Sequence, residues 1–546
     1  MAGVGSDFVG DRRGNFAIIA SLLTVPLVLA AAVVVDLSTI QRTKAELQSA
    51  IDSAALAIAR EGKDVSEDEA KVIADRFLSA NFKGKTDSFK VVRSGTSFRV
   101  EGSASANMAF AGLLGYETWQ IASAATADIA YATYEVALVL DTTGSMKGGK
   151  LASMKDAVTG LIDTMSTQVN DKDKLKFAVV PFATFVNVGP AFGPSFDAQG
   201  RQIAGSGGKW LDLKGAAEIP QSELDDGASR FQLYSNLGTN WPGCVETRPV
   251  VSGTDHGVSD SDPDPTRPET LFVPAFAIDE PDGGFSNSYI DSDAQPNNNT
   301  TSERKKRWAK YGVATNNAGE PVNGGILADA VVAAENLLTG NNGKKSVKID
   351  TSASAATGKP KGPGHGCEMQ PITPLTNDYS GLKTKVDAFE ANGTTNIMEG
   401  VAWGMRVLSP KEPFSEGQDR KKVGVEKIMI VLTDGTNVFG NANNELGSSY
   451  SSFGYLVDGR VGTETGGAAN TTALMNERTV AACQSAKADG VYVYTIRLEE
   501  PNVATGTMLK ECATTPEDYF DVPTRTRLDE AFSKIKERIV RVRIAS

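Results

Sequence analysis

The chain has 546 residues, enough for three to four domains at roughly 150 residues each. Hydrophobic residues make up 40% and charged residues 22%, which excludes a wholly disordered chain, a collagen and a coiled-coil rod. A net charge of -12, from 55 basic and 67 acidic residues, argues against a nucleic-acid binder, and two histidines exclude a His-rich zinc site.

Residues 16–36 open the chain's organisation. FAIIASLLTVPLVLAAAVVV, 16–35, is an uncharged run long enough to cross a bilayer as a helix. Arg12 and Arg13 precede it and Asp36 follows it. The positive-inside rule then places residues 1–15 as a cytoplasmic tail and everything beyond Asp36 outside. A cleaved signal peptide, with Ala30-Ala31-Ala32 as its cleavage site, is the competing reading; the apolar run is longer than a usual signal core, which favours an uncleaved anchor. Pro26 is tolerated in a spanning helix.

Residues 37–131 read as an amphipathic helix followed by a small α+β neck. Ile40, Leu47, Ile51, Ala54 and Ile58 form an a/d-like stripe on a helix continuing out of the membrane. The stripe packs against its own domain or, in the alternative, against helices of partner subunits. A second helix is predicted over 66–82, opened by the capping-box pair Ser66 and Glu69. Residues 88–108 alternate as strands, with a turn at Ser94-Gly95.

From residue 132 the pattern changes. Five short apolar runs, at 136–140, 176–182, 427–432, 491–496 and 519–522, suit parallel strands buried on both faces. Helical stripes lie between or after them, at 150–166, 397–408, 473–489 and 527–543. Strands alternating with helices predict an α/β doubly wound, mostly parallel sheet over 132–546. Residues 187–378 break this rhythm and read as a large irregular insertion. It holds Trp210, Trp241, Trp308, Cys244 and Cys367, which argues for an ordered insertion with a mobile acidic centre. The acidic run Asp260-Ser261-Asp262-Pro263-Asp264 lacks the Gly and Glu of a calcium loop and reads as solvated. Cys483 and Cys512 fall on predicted helices flanking one strand, which predicts a Cys483–Cys512 disulfide and, by exclusion, Cys244–Cys367. Disulfides fit an oxidising compartment.

Two strands run directly into carboxylates. VALVL leads to Asp141-Thr142-Thr143-Gly144-Ser145 and KIMIVL to Thr433-Asp434-Gly435, both at the ligand-binding edge of an open α/β sheet. Alternation lets Asp141, Thr143 and Ser145 converge, and the loop Asn392–Asn396 supplies further hydroxyls. Carboxylates and hydroxyls are hard oxygen donors that suit Mg²⁺ or Mn²⁺ rather than zinc. Competing readings fail on particular residues. Gly144 to Lys150 matches GxxxxGK, but Leu151 stands where a P-loop needs Ser or Thr. Asp141 lacks the following Lys of aspartyl-phosphate enzymes, and no GxSxG elbow surrounds Ser145. No catalytic triad or acid/base pair can be placed, so the chain is expected not to be an enzyme.

DTTGS, GTTNI and LTDG, in that order and on those elements, resemble the von Willebrand factor A domain. The resemblance implies a metal-ion-dependent adhesion site of Asp141, Thr143, Ser145, Thr395 and Asp434. The expected cation is Mg²⁺, with Mn²⁺ or Ca²⁺ as alternatives. Residues 11–60 resemble the N-terminal module of the TadG-like family of bacterial tight-adherence (Flp) pilus assembly proteins. WPGCVETRP, CEMQPITPLT and AWGMRVLSP resemble that family's extracytoplasmic region. The resemblance implies an inner-membrane, single-pass protein of a bacterial envelope, acting in pilus biogenesis and surface adhesion. Its protein partners would be pilus or envelope components offering a carboxylate to the metal, with pseudopilin-like subunits as helix-packing partners. Gly14 is followed by Asn15, with Ile19 where pseudopilins keep a Glu, so the prepilin-peptidase signal is incomplete. A chaperone or accessory subunit of another envelope complex is the alternative function.

Overall fold

The computed structural model describes residues 13–61, 65–94, 97–128, 133–321 and 347–545, less short gaps at 168, 170, 218, 220, 225–228, 282–284, 297, 355–357, 421, 423 and 443. Arg12 and most of the expected cytoplasmic tail lie outside the described residues, as does Gly95 of the expected turn. The chain forms two compact units, residues 1–132 with 540–546, and residues 133–539.

The first unit begins with α1, Arg13–Glu61, a single helix of 49 residues that contains Pro26. It is the one helix among the described residues long and apolar enough to cross a membrane. Past the apolar run, α1 packs on α2 (Glu67–Asn81) and on a three-stranded antiparallel sheet, β1 (Thr86–Ser94), β2 (Ser97–Asn107) and β3 (Thr118–Asp128). Ser66 caps α2: its hydroxyl accepts from the Glu69 N–H at 3.2 Å, and the Glu69 carboxylate accepts from the Ser66 N–H at 2.9 Å. Leu47, Ile51, Ala54 and Ile58 are fully buried with Phe98, Val100 and Ile121, and Ile40 packs at the edge of this core. The stripe therefore serves the unit's own core. The expected helix–helix contact with pseudopilin-like subunits loses that face, because the neck sheet already covers it.

In the second unit, β4 (Thr133–Asp141), α3 (Gly149–Thr167) and β5 (Leu175–Phe182) come first. The long excursion that follows carries α4 (Arg230–Asn236), a two-residue hairpin of β6 (Val250–Val251) and β7 (Thr254–Asp255), and α5 (Thr301–Lys310). Next come β8 (Thr373–Thr376), α6 (Tyr379–Asp387), α7 (Ile397–Val407), β9 (Val425–Thr433) and α8 (Ala468–Ala488). The unit closes with β10 (Val491–Leu498), α9 (Val503–Cys512), β11 (Tyr519–Val522) and, as far as Ile539, α10 (Leu528–Ala545). The sheet order is β11-β10-β9-β4-β5-β8, parallel throughout except for the antiparallel edge strand β8.

Successive residues of β4 feed two separate cores. Val136, Leu138 and Leu140 pack with α3, α6 and α10, whereas Ala137 and Val139 pack with α7 and α8. Burial on both faces explains the unbroken apolar runs. Glu135 and Lys427 face each other across β4 and β9 and form a buried ion pair at 2.7 Å, fixing the register that also sets Leu140 opposite Leu432. Every residue of α7 is buried, Glu399 and Arg406 included. A Cβ at Gly404 would come within 2.5 Å of Val139, so glycine lets α7 lie directly on the sheet.

The excursion between β5 and β8 differs from expectation in two respects. It ends before Thr373, because TPLT pairs with β5 as the sheet edge, so residues 373–378 are not insertion. Its acidic stretch is solvated only in part: the Asp262 side chain is 68% exposed, whereas Asp260 is held by neighbours. Ser409 donates to Asp260 at 2.7 Å, and Lys411 lies 3.5 Å from Asp260 and 3.7 Å from Asp262. The insertion's interior is aromatic and polar together. Trp210, Trp241 and Trp308 are buried, and Glu246 accepts from Arg230, Arg460 and Tyr450. Disulfides join Cys244 to Cys367 and Cys483 to Cys512.

Candidate metal centre

From β4 the chain passes to β5 on one side of the sheet and returns to β9 on the other. The strand order reverses between β4 and β9, and loops diverge there to leave a crevice at the strands' C-terminal ends. Asp141 ends β4, and Asp434 follows Thr433, the last residue of β9.

Asp141 is wholly buried. One of its oxygens accepts the Thr143 N–H at 2.8 Å, and the other accepts the Thr433 hydroxyl at 2.6 Å. Thr143 Oγ1 lies 2.9 Å from Ser145 Oγ, and Ser145 donates to Asp434 Oδ1 at 2.6 Å. The second Asp434 oxygen meets Lys150 Nζ at 2.6 Å. Burial, and then the neighbouring charge of Asp434, push the Asp141 carboxyl up to about 6.

Thr395 reaches the same place from a third loop. Gly144 N–H donates to the Gly393 carbonyl at 3.0 Å and Asn392 N–H to the Thr142 carbonyl at 2.8 Å, which ties this loop to the Asp141 loop. Gly393 takes φ +81, and a Cβ there would sit 2.9 Å from Thr184 Oγ1, so the position demands glycine. Asn396 then caps α7 by accepting the Glu399 N–H. A Cβ at Gly435 would fall 3.1 Å from Thr395 Oγ1 and 3.5 Å from Ser145 Oγ, which sets both hydroxyls against one glycine. The structure thus brings all five expected donors, Asp141, Thr143, Ser145, Thr395 and Asp434, to the crevice.

The donors are two carboxylates and three hydroxyls, all oxygen, at a sheet edge where two like charges approach. That set fits a hard divalent cation with water completing its shell. No cluster of three His, Cys, Asp or Glu that could hold a metal occurs among the described residues, so the hydroxyls are indispensable to the fit.

Two participants were not singled out from sequence. The Thr433 hydroxyl orients Asp141, and its position as the last strand residue before Asp434 was the available signal. Lys150, the lysine of the GxxxxGK run, instead pairs its ammonium with Asp434.

Residues 14–61 match the model of the Tad family, described as putative Flp pilus-assembly TadE/G-like. No curated protein matches the chain. Among solved structures, the chain is similar to the pilus adhesin SpaC from Lactobacillus rhamnosus GG, at 8% identity and a TM-score of 0.31, over 83% of this chain and 34% of that one. It is similar to the vWF domain of the type V pili tip protein Mfa5 from Porphyromonas gingivalis, at 10% identity and a TM-score of 0.31, over 75% and 96% of the two chains. The PilB minor pilin from Streptococcus sanguinis gives 11% identity and a TM-score of 0.30, over 84% and 78%. The chain spans about a third of the length of SpaC.

Proposed function

We propose that the chain is a membrane-anchored component of a Flp-type pilus assembly system, acting in pilus biogenesis and adhesion by cation-dependent protein binding. The observation that carries the binding chemistry is the convergence of Asp141, Thr143, Ser145, Thr395 and Asp434 from three loops at the β4/β9 switch point. The match of residues 14–61 to a pilus-assembly family model supports the setting.

In this reading Asp141, Thr143, Ser145, Thr395 and Asp434 would hold Mg²⁺, Mn²⁺ or Ca²⁺. The cation would supply a Lewis-acidic position for a carboxylate of a pilus or envelope protein. The chain's own residues do the positioning. Thr433 and the Thr143 N–H fix the Asp141 rotamer, and Lys150 balances Asp434 in the cation-free site, the charge the cation would take over. The function is binding rather than catalysis. The apolar run of α1 anchors the chain in the inner membrane, with the N-terminus cytoplasmic and the two folded units outside.

A chromosomal Asp141→Ala allele tests the reading. Expected are unchanged protein level, reduced piliation and surface attachment, and loss of chelator-sensitive co-purification of envelope proteins. Normal attachment by the stably expressed variant would refute it. Alkaline phosphatase fused after Ser546 is expected to be active; a silent fusion would overturn the orientation.

A further inference from the structure

The neck carries a second feature that its own core does not use. Asp36, the first charged residue after the apolar run, is buried in the wall of α1. Its carboxylate accepts three successive backbone N–H groups, from Ala109 at 2.8 Å, Phe110 at 3.2 Å and Ala111 at 2.7 Å. The loop between β2 and β3 is thereby fastened to the last turn of the apolar run. Ala32, one turn further in, is 8% exposed, whereas Val33, Val34 and Val35 are 65%, 65% and 46% exposed. The 3-10 turn Ala111–Leu114 packs on α1. The loop therefore covers the Ala32/Asp36 face and reaches about 6 Å along the helix into the apolar run.

This loop is aromatic and uncovered. Phe110 is 41% exposed, Tyr116 70% and Trp119 58%. Trp119 lies on the same face of β3 as Ile121, which is buried in the neck core. The apolar face of the sheet thus continues past the point where protein covers it, towards the apolar run of α1. Higher up, β3 runs beside α1: Gln48 Nε2 donates to the Ala124 carbonyl at 3.3 Å, and Gln48 lies about 18 Å beyond Asp36 along the helix. Only the Phe110–Trp119 end of the sheet stands level with the end of the apolar run.

We infer that Phe110, Tyr116 and Trp119 form an interfacial anchor that docks the base of the neck into the headgroup layer of the bilayer that α1 crosses. The amphipathic rings of Tyr116 and Trp119 favour that layer, with the ring body among acyl chains and the polar tip in water, and Phe110 adds a wholly apolar ring beside them. Asp36 is the structural pin: by gathering three N–H groups it satisfies the loop's backbone donors, which would otherwise be costly at that depth. The lipid surface is the occupant because the patch is continuous with the lipid-facing surface of α1. This inference rests on the reading of α1 as a membrane anchor.

The test uses the full-length chain in vesicles with and without brominated acyl chains. All four native cysteines are disulfide-bonded, so one added Cys carries the only free thiol for an environment-sensitive fluorophore. Three positions are labelled: Leu27→Cys in the apolar run, Tyr116→Cys in the loop, and Thr126→Cys, exposed about 23 Å along β3 from Trp119. The expected result is quenching at 27 and 116 and none at 126. Quenching at 27 with a water-like, unquenched label at 116 overturns the inference and leaves the anchor standing. A blue-shifted but unquenched label at 116 also overturns it, since a protein neighbour then covers the patch. Absence of quenching at 27 refutes the anchor reading itself. A further variant, Asp36→Asn, is expected to weaken quenching at 116 while leaving it intact at 27.

Discussion

Replacing Asp141 with Asn separates the two consequences of its charge. Burial and Asp434 raise the Asp141 pKa from 3.8 to about 6. An acid whose folded pKa is raised holds its proton more tightly in the folded chain than in the unfolded one. Its ionisation therefore costs stability as pH rises past about 3.8, and the full cost is present above about 6. A rise of about two units, at 1.36 kcal/mol each, corresponds to about 3 kcal/mol near neutral pH in the cation-free protein. Asn carries no charge and keeps an acceptor for the Thr143 N–H. It forfeits the bond from Thr433, worth about 1 kcal/mol. The variant should then exceed the wild type by about 2 kcal/mol in chelator. Cation reverses the balance. Binding to the folded wild type at 100 times Kd adds about 2.7 kcal/mol, and the variant gains nothing. Urea denaturation in chelator and in titrated Mg²⁺ measures both terms, with a repeat at about pH 4.5, where the chelator gap should shrink. An equal Mg²⁺-dependent gain in both proteins would refute the assignment of the site. A variant less stable than wild type in chelator near neutral pH would refute the account of its charge.

Lys150→Ala removes the ammonium paired with Asp434, so a divalent cation no longer displaces it; affinity by calorimetry should rise by up to about fivefold, the equivalent of about 1 kcal/mol for a partly exposed pair. A weaker affinity would show that Lys150 supports the site instead. Glu426 on β9 is pushed up to about 7 by burial alone, so wild-type stability should fall as pH rises from about 4.5 to 7. Glu426→Gln should flatten that limb by about 2 kcal/mol after allowance for its partial exposure, as read from the pH dependence of urea midpoints. Replacing Cys483 and Cys512 together with Ala opens a cross-link spanning 29 residues and should lower stability by about 3–4 kcal/mol; an unchanged urea midpoint would contradict it.

The central strands were legible because both faces of each are covered, which forces runs such as VALVL and KIMIVL. The edge strand β8 was hidden for the opposite reason. Its four residues include Pro374, and only Leu375 is buried, so no run or alternation marks it. The insertion gives little periodic signal because it is held by loop-spanning bonds. Asn187 Nδ2 donates to the carbonyls of Pro242 and Met369, and Arg248 donates to those of Ser259, Ser261 and Thr270. At the site, each strand ending in a carboxylate announced a donor. The Lys150–Asp434 pair could not be read, because 284 residues separate its partners and only the β4/β9 register unites them.

The 49 residues of α1 form one continuous helix, about 74 Å at 1.5 Å per residue, part of it apolar run, with Pro26 inside that run, and part of it the spine of the neck core. No glycine or loop hinge separates these two parts, since residues 16–61 contain no Gly. If the apolar run crosses a bilayer as proposed, a pull on the neck reaches residues 27–35 through unbroken helix, and Pro26 is where bending would be taken up. In that reading, tilting of the helix beyond Pro26 swings the neck helix with it.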